Sequence, residues 1–208
     1  MHKLTFFSLL VEIVRESDYL VIRMKKEGLK PMSTDSISSR TGKPRLRKPV
    51  ATDGAAVWEL VRTCKPLDEN SMYCNLIQVE HFARTCVVAE LDGEIVGWIS
   101  AHMIPETDDL FVWQVAVGPS ARGLGLGKKM LGELIERDAC VGATRLKTTI
   151  TRDNDASWAL FKSFARNIGG DLADKPHFER NAHFVGRHAT EHMVAITLPE
   201  REPLARAA

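Results

Sequence analysis

Residues 110–128 read LFVWQVAVGPSARGLGLGK. An apolar, β-branched and aromatic run ends at the Gly118-Pro119 turn, and Arg122 and three alternating glycines then lead into a helical pattern. Such a run is typical of a buried strand, and the glycines fall where the next helix begins. The pattern therefore predicts a strand, an anion-binding loop and a helix.

The helix after the loop is amphipathic, because Leu131, Leu134 and Ile135 recur at helical spacing while charged residues occupy the other faces. Its first turn carries backbone N–H groups without helical acceptors and the positive end of the helix dipole. Glycines at that turn leave room for an anion to approach the backbone. We therefore expect the loop to bind a phosphate-bearing ligand.

Two common nucleotide loops do not fit this spacing. A Rossmann fingerprint, G-x-G-x-x-G, that starts at Gly123 and Gly125 needs its third glycine where Lys128 stands. A Walker loop requires Ser or Thr after Gly127 and Lys128, and Lys129 occupies that position. The spacing therefore argues against both nucleotide loops.

The pattern that fits is [Q/R]-x-x-G-x-[G/A], with Arg122, Gly125 and Gly127 at its defining positions. It resembles the coenzyme A pyrophosphate loop of the GNAT N-acetyltransferases. The resemblance implies acetyl-CoA as cosubstrate, with the backbones of Val115 and Val117 pairing with the pantetheine arm. The residues that it implies around the cofactor are Val115, Val117, Arg122, Gly123, Gly125, Gly127, Lys128 and Asn154.

Length and composition favour a small-molecule partner. A chain of 208 residues can form one sizeable α/β core and is too short for two full domains. With 44% apolar residues and a net charge of +1, nothing indicates a nucleic-acid surface or an acidic tail. The four cysteines lack C-x-x-C pairing, which favours reduced packing residues in a cytoplasmic protein over disulfides or zinc.

Residues 1–44 form an N-terminal extension with little fold information. The apolar run from Leu4 to Val14 is interrupted by Glu12, lacks a signal-peptide cleavage site and is too short to span a membrane. The polar tract 33–44 is typical of disorder. Two further interpretations stay open: a loosely attached helix, or an over-long gene start, with translation beginning at Met24 or Met32.

Residues 45–199 carry the predicted domain, and 200–208 a short tail. The Asp92-Gly93 pair is a strong hairpin signal. The order of elements resembles that of the GNAT family, which implies an α/β (α+β) fold with a mixed, mostly antiparallel sheet of about seven strands, splayed at the centre and flanked by helices. We expect strands at 45–49, 85–91, 94–103, 110–117, 145–150, 178–185 and 192–198. We expect four helices: one capped by Thr52 or Asp53 and running through Cys64, one over 72–82 capped by Asn70 or Ser71, one whose first turn holds the glycines and that runs through Arg137, and one that begins at Asn154 and ends at Gly169-Gly170.

The last helix departs from the family's pattern N-x-x-[A/S]-x-x-[L/F]-Y. Asn154, Ser157 and Leu160 match it, but Phe161 stands at the tyrosine position. In many relatives that phenol is thought to protonate the departing thiolate, which a phenylalanine cannot do. Water, or a hydroxyl such as that of Tyr73, would have to serve, and Phe161 itself can be explained as a packing residue.

The segment 67–73, LDENSMY, is similar to the L-D-x-N-S-x-Y segment of the L-2,4-diaminobutyrate acetyltransferases of ectoine synthesis. The similarity extends to 109–114, DLFVWQ, and to 187–192, RHATEH. It implies transfer of an acetyl group from acetyl-CoA to the 4-amino group of L-2,4-diaminobutyrate. The alternatives are another small amine, a protein N-terminus, or a non-catalytic acyl-CoA-binding sensor.

The chemistry of that acceptor suggests roles for particular residues. Carboxylates are expected near its ammonium groups, and Asp68 and Glu191 are the candidates, although each could be a solvated surface charge. Tyr73 and Trp113 are candidates for walls and hydrogen bonds, and His188 or Glu191 for proton removal. The backbone N–H of Val115 is the candidate donor to the oxyanion.

Residues 188–192 also spell H-x-x-E-H, a zinc-binding pattern. That pattern requires a long helix, whereas 193–198 reads as a strand, so we expect no metal. We expect neither nucleic acid nor membrane as a partner. By analogy with the family, the protein is expected to be a homodimer.

Overall fold

The computed structural model describes residues 42–200 and the backbone of two short strands, β1 (Glu12–Glu16) and β2 (Tyr19–Arg23). The chain divides into two compact units between residues 39 and 40. In the first unit β1 and β2 pair antiparallel, so their backbone is extended rather than helical. The predictions for the tract 33–41, for the tail from 201 and for the translation start lie outside the described residues and stay predictions.

The second unit contains a seven-stranded sheet flanked by helices, which confirms the predicted fold class. The strand order is β3-β4-β5-β6-β7-β9-β8, and β6 and β7 form its parallel pair. Its elements are β3 (Arg45–Arg47), α1 (Gly54–Thr63), α2 (Met72–His81), β4 (Val87–Leu91), β5 (Glu94–Met103), β6 (Asp109–Val117), α3 (Leu126–Ile135), β7 (Arg145–Thr151), α4 (Asp155–Ile168), β8 (Leu172–Phe178) and β9 (Glu191–Thr197).

Two apolar clusters pack the sheet on its two faces. Trp98 belongs to the cluster of α1 and α2, whereas the next residue, Ile99, belongs to the cluster of α3 and α4. Consecutive strand residues point to opposite faces, so the helix pairs cover opposite faces.

Among the described residues, no helix is long and apolar enough to cross a membrane. None of the four cysteines, all within 42–200, forms a disulfide.

The helix ends agree with the predicted caps at most positions. The hydroxyl of Ser71 accepts a hydrogen bond from Cys74 N at 3.1 Å, and Asn154 Oδ1 accepts one from Ser157 N at 3.1 Å. Gly169 ends α4 in the left-handed conformation. Asp53 precedes α1, but its carboxylate binds Arg47 at 2.7 Å and Val50 N at 2.8 Å instead of capping the helix.

The predicted strand 178–185 is wrong, because the edge strand β8 ends where that prediction begins. β8 reads LADKPHF and is largely exposed, so it lacks the apolar alternation of a half-buried strand. Lys175 and Pro176 protect this free edge from pairing with another chain. The apolar signal at 178–185 comes from the last residue of β8 and the loop that follows it, where the Phe178 and Phe184 rings pack with centroids 6.4 Å apart.

Candidate active site

The sheet opens between β6 and β7. These strands pair at only three positions, from Asp109 with Arg145 to Phe111 with Lys147, and then diverge, which agrees with the predicted central splay. The buried Asp109 carboxylate holds the closed end, with Arg145 Nε at 2.7 Å and Lys147 Nζ at 2.5 Å. The diverging strands leave a cavity of about 330 Å³. The cavity is lined by Pro66, Leu67, Asp68, Val112, Trp113, Gln114, Val115, Thr148, Thr149, Ile150, Thr151, Asp153, Asn154, Ser157, Phe161, His188, Ala189 and Glu191.

A β-bulge at Trp113 shapes the wall that β6 contributes. The register passes from Ala101 opposite Val112 to Ser100 opposite Gln114, so Trp113 is the extra residue. Its side chain is 50% exposed. Side chains along a strand alternate between the two faces of the sheet, and the bulge shifts this alternation by one residue. The Gln114 side chain therefore lies on the face opposite to that of Val112.

The backbone of β6 beyond the bulge faces the opening. Gly118 N donates to Val96 O at 2.9 Å, and the register places Val117 opposite Gly97 and Val115 opposite Ile99. Hydrogen-bonded and non-hydrogen-bonded pairs alternate in an antiparallel ladder, so the N–H and C=O groups of Val115 and Val117 point away from β5. They face the side on which β7 has separated. This geometry would allow an extended ligand to pair with β6 as an added strand.

The predicted anion loop lies at the start of α3. Gly123 and Gly125 have positive φ values of 76° and 67°, and a Cβ atom at either would contact nothing within 4 Å. The loop is therefore open above the first turn of the helix, where backbone N–H groups attract an anion. Gly127 serves packing as well, because a Cβ there would lie 3.3 Å from Leu160. Arg122 Nε donates to Val117 O at 3.1 Å, which ties the loop to the end of β6.

The loop 65–71 lies between α1 and α2 and is named here the acceptor loop. Its two adjacent acidic residues, Asp68 and Glu69, point to different places. The Glu69 carboxylate forms an ion pair with Lys65 and lies 3.6 Å from Arg62, outside the cavity. Asp68 lines the cavity instead. Of the charges in this loop, Asp68 is the one that can meet a ligand in the opening.

Glu191 begins β9 on the opposite wall, with its side chain 18% exposed. Burial raises the pKa of the Glu191 carboxyl above its ordinary value. Nearby His188 and a hydrogen bond with Thr149 oppose the rise, whereas the charges of Asp68 and Asp153 add to it. A carboxylate with a raised pKa is suited to accept a proton near neutral pH.

Sequence reasoning missed Asp153 and Thr149. Asp153 follows β7 and lines the cavity, and hydrogen bonds with Thr151 and its own backbone hold the pKa of its carboxyl below the usual range. The cavity therefore has three carboxylates, those of Asp68, Asp153 and Glu191, and none of its described lining residues is Lys or Arg. The sequence did offer a signal for these two residues. They lie at and just after the C-terminal end of β7, and ligand sites in α/β folds often form at the C-terminal ends of strands.

The cavity brings together six of the predicted residues: Asp68, Trp113, Val115, Asn154, His188 and Glu191. Tyr73 is not among its lining residues, because its side chain projects from the first turn of α2 and is 71% exposed. Val117 and the anion loop lie beyond the lining. Phe161 lines the cavity and also belongs to the buried core, so it packs as the sequence suggested.

The H-x-x-E-H residues do not form a zinc-binding helix. Glu191 and His192 are consecutive residues of β9 and point to opposite faces of the sheet, while His188 lies in the preceding loop. The predicted strand at this position is confirmed, and it begins one residue earlier than expected. Among the described residues, no group of three or more His, Cys, Asp or Glu side chains is placed to hold a metal ion.

Known proteins resemble this chain along most of its length. Residues 55–165 match the model of the acetyltransferase (GNAT) family. An L-2,4-diaminobutyric acid acetyltransferase from Methylotuvimicrobium alcaliphilum is 45% identical over 152 residues, which are 73% of this chain and 88% of the relative. One of the same name from Vibrio cholerae is 45% identical over 154 residues, which are 74% and 89% of the two chains.

The solved diaminobutyrate acetyltransferase EctA from Paenibacillus lautus, in complex with its substrate L-2,4-diaminobutyric acid and coenzyme A, superposes with a TM-score of 0.71. It is 37% identical, and the match covers 75% of this chain and 95% of that one. YncA, a putative acetyltransferase from Salmonella typhimurium, has a TM-score of 0.59 at 19% identity over 80% and 100% of the two chains, and supports the fold alone. The chain belongs to the acetyltransferase (GNAT) family and, within it, to the L-2,4-diaminobutyric acid acetyltransferases.

Proposed function

We propose that the protein transfers the acetyl group of acetyl-CoA to the 4-amino group of L-2,4-diaminobutyrate, giving N4-acetyl-L-2,4-diaminobutyrate and CoA. The observation that carries the proposal is the cavity with three carboxylates and no described Lys or Arg in its lining. Such a wall favours a ligand with more than one ammonium group. The complex of the Paenibacillus relative with diaminobutyric acid and coenzyme A supports the same assignment.

Acetyl-CoA supplies the activated acetyl group, and this chain's residues fit its anionic and extended parts. The open loop at Gly123 and Gly125 suits the pyrophosphate, with Arg122, Gly127 and Lys128 beside it. The outward C=O group of Val115 and the outward N–H group of Val117 suit the pantetheine amides, which leaves the Val115 N–H for the thioester oxygen. Asn154 lines the cavity at the start of α4.

The acceptor must lose a proton before it can attack, because an alkyl ammonium has a pKa of about 10. Glu191, with His188 beside it, is the proposed proton acceptor. The amine nitrogen then attacks the acetyl carbonyl carbon, and the Val115 N–H donates to the oxygen as negative charge grows on it in the tetrahedral intermediate. The intermediate collapses as the carbon–sulfur bond breaks, and the nitrogen gives its second proton to water. Water protonates the departing thiolate, because Phe161 has no proton to give.

Asp68 is the proposed partner of the acceptor's second ammonium group, and Trp113 forms the wall beside it. Asp68 and Glu191 lie on opposite sides of the opening, one on the acceptor loop and one on β9. Two separated carboxylates can hold a diamine in one orientation, which brings the 4-amino group to the reacting carbon. The role of Tyr73 in binding stays a prediction.

A second candidate is a non-catalytic acyl-CoA-binding sensor, which Phe161 in the cavity wall favours. An acetyltransferase for another small amine or for a protein N-terminus is the alternative within the fold. A panel of acceptors separates the three: L-2,4-diaminobutyrate, L-ornithine, L-lysine, 1,3-diaminopropane and a short peptide, each with release of free CoA measured. We expect the highest kcat/KM with diaminobutyrate. If none of the amines causes release of free CoA, the sensor would be favoured.

We further propose that the protein acts as a homodimer in the cytoplasm, in the synthesis of the osmolyte ectoine. The family resemblance supports the dimer and the pathway, and the four free cysteines are consistent with a reducing compartment such as the cytoplasm. Light scattering on the purified chain tests the dimer. A mass of one chain at micromolar concentration would contradict it.

A further inference from the structure

Gln114 connects the central strand to the acceptor loop. Its side chain is 5% exposed, and both ends of its amide are bonded to the loop. Oε1 accepts a hydrogen bond from Asn70 Nδ2 at 3.0 Å, and Nε2 donates one to Asp68 O at 2.9 Å. One buried side chain thus holds both the residue that lines the cavity and its neighbour two positions later.

The orientation of this amide follows from its partners. A backbone carbonyl can only accept, so the atom next to Asp68 O must be the NH2 group. The other end then accepts from the amide of Asn70. A third bond, from Trp58 Nε1 to Asn70 O at 3.0 Å, fixes the same end of the loop to α1.

The bulge at Trp113 makes this contact possible. Val112, before the bulge, packs in the cluster of α3 and α4, whereas Ala116, in phase with Gln114, packs in the cluster of α1 and α2. Without the extra residue, Gln114 would share the face of Val112 and could not reach the loop. The bulge in β6 therefore allows Gln114 to bond to the acceptor loop, which forms one side of the cavity.

We infer that Gln114 is a positioning residue: through its bond to the Asp68 carbonyl it sets where the Asp68 carboxylate meets the acceptor, and so contributes to selectivity for a diamine. The inference rests on the proposed function for the identity of that acceptor. An aspartate side chain has only two torsions, so its carboxylate follows the backbone closely. A loop released from Gln114 would present Asp68 over a range of positions instead of one.

Three variants test this, with one matched control. Gln114→Met keeps the length of the side chain and removes both bonds, whereas Gln114→Glu keeps the acceptor for Asn70 and removes the donor to Asp68. Asp68→Asn removes the charge. Gln78→Met is the control, because Gln78 is equally buried at 4% exposure, lies on the same side of the sheet and makes no described bond to the acceptor loop.

Two readouts distinguish positioning from a general loss of stability. Amide hydrogen exchange of residues 65–71 in the full chain needs no substrate, and we expect it to accelerate about tenfold in Gln114→Met but not in Gln78→Met. Steady-state kinetics should give a KM for diaminobutyrate raised about tenfold, equivalent to about 1.4 kcal/mol, with the KM for acetyl-CoA changed by less than about a factor of two. Gln114→Glu should follow Gln114→Met.

A double-mutant cycle decides whether Gln114 acts through Asp68. In the Asp68→Asn background, Gln114→Met should add less than about a factor of two to the KM for diaminobutyrate. Full additivity, or exchange of 65–71 unchanged by Gln114→Met, would overturn the inference. A wild-type protein that does not acetylate diaminobutyrate would overturn the proposed function and, with it, the role of Gln114 in selectivity for a diamine. Hydrogen exchange of residues 65–71 would still decide whether Gln114 positions the acceptor loop.

Discussion

His188 Nδ1 lies 3.9 Å from Glu191 Oε1 and 2.8 Å from the carbonyl oxygen of Ala189. Because a carbonyl oxygen only accepts hydrogen bonds, Nδ1 must carry a proton. In the neutral ring, Nε2 is then the acceptor. The contact with Glu191 is longer than a hydrogen bond, so the carboxylate is left able to take a proton from a ligand.

The first prediction concerns the rate. Glu191→Gln should lower kcat with diaminobutyrate about 10²- to 10⁴-fold, because the amide cannot accept the ammonium proton, and should leave the affinity for acetyl-CoA unchanged. Since burial raises the pKa of Glu191, the wild-type rate should rise with pH through a value above the ordinary glutamate pKa. A pH–rate profile of kcat/KM checks both. Equal rates of the two proteins across pH would remove Glu191 from the proton path.

The second prediction is that the same substitution stabilises the fold. The pKa of Glu191 is higher in the folded than in the unfolded chain. The contribution of Glu191 to the free energy of unfolding is therefore most favourable below the unfolded pKa of about 4.3, and it is lost as pH rises through the folded pKa. At neutral pH the ionised carboxylate is therefore a cost that glutamine does not have. Urea unfolding should give Glu191→Gln the higher free energy of unfolding at pH 7 and no advantage at about pH 4. A less stable variant at pH 7 would contradict this.

The third prediction tests the anion loop. Gly125→Glu should weaken acetyl-CoA binding at least about 100-fold, because it adds bulk and negative charge where the pyrophosphate is expected. Gly125→Asn is the matched control, since asparagine tolerates the positive φ of 67° and carries no charge. Calorimetric titration with acetyl-CoA measures both. Equal affinity of the two variants would remove electrostatics from the account of the loop.

The fourth prediction concerns the closed end of the opening. Burial raises the pKa of the Asp109 carboxyl, but hydrogen bonds from Arg145 and Lys147 lower it more, so the net shift is downward. Its stabilising effect is then present above the unfolded pKa of about 3.9 and is lost as pH falls through the lower folded value. Asp109→Asn should cost about 1.5 to 3 kcal/mol of unfolding free energy at pH 7.

Glu59→Gln, in an exposed pair with Arg62, serves as the control for Asp109→Asn and should change stability by less than about 0.5 kcal/mol. Urea unfolding of both variants between pH 7 and about pH 2 provides the comparison. A difference between Asp109→Asn and the wild type that stays constant down to about pH 2 would contradict the assigned ion pairs.

Much of the fold could be predicted because local signals and burial agree. The hairpin at Asp92-Gly93, the caps at Ser71 and Asn154, and the glycines before α3 are all encoded within a few neighbouring residues. The edge strand β8 could not be predicted, because its residues are exposed and have no apolar alternation. Its position depends on pairing with β9, which is a contact between distant segments.

The family resemblance named several residues that the structure brings to one cavity, and sequence reasoning missed features that depend on tertiary contacts. Asp68 and Glu191 line one cavity, as expected for an acceptor site. The bulge at Trp113 has no signature in the sequence of β6, because it is a mismatch of register between two strands. For that reason the turned Gln114 side chain could not be predicted. The outward position of Tyr73 depends on how α2 packs against the sheet, which is a tertiary contact.

The most direct test of the central claim is the position of acetylation in the product. The purified protein is incubated with acetyl-CoA carrying a ¹³C-labelled acetyl group and with L-2,4-diaminobutyrate, and the product is identified by NMR together with release of free CoA. We predict N4-acetyl-L-2,4-diaminobutyrate and CoA in equal amounts. Acetylation at the 2-amino group, or CoA release that does not depend on the amine, would contradict the account.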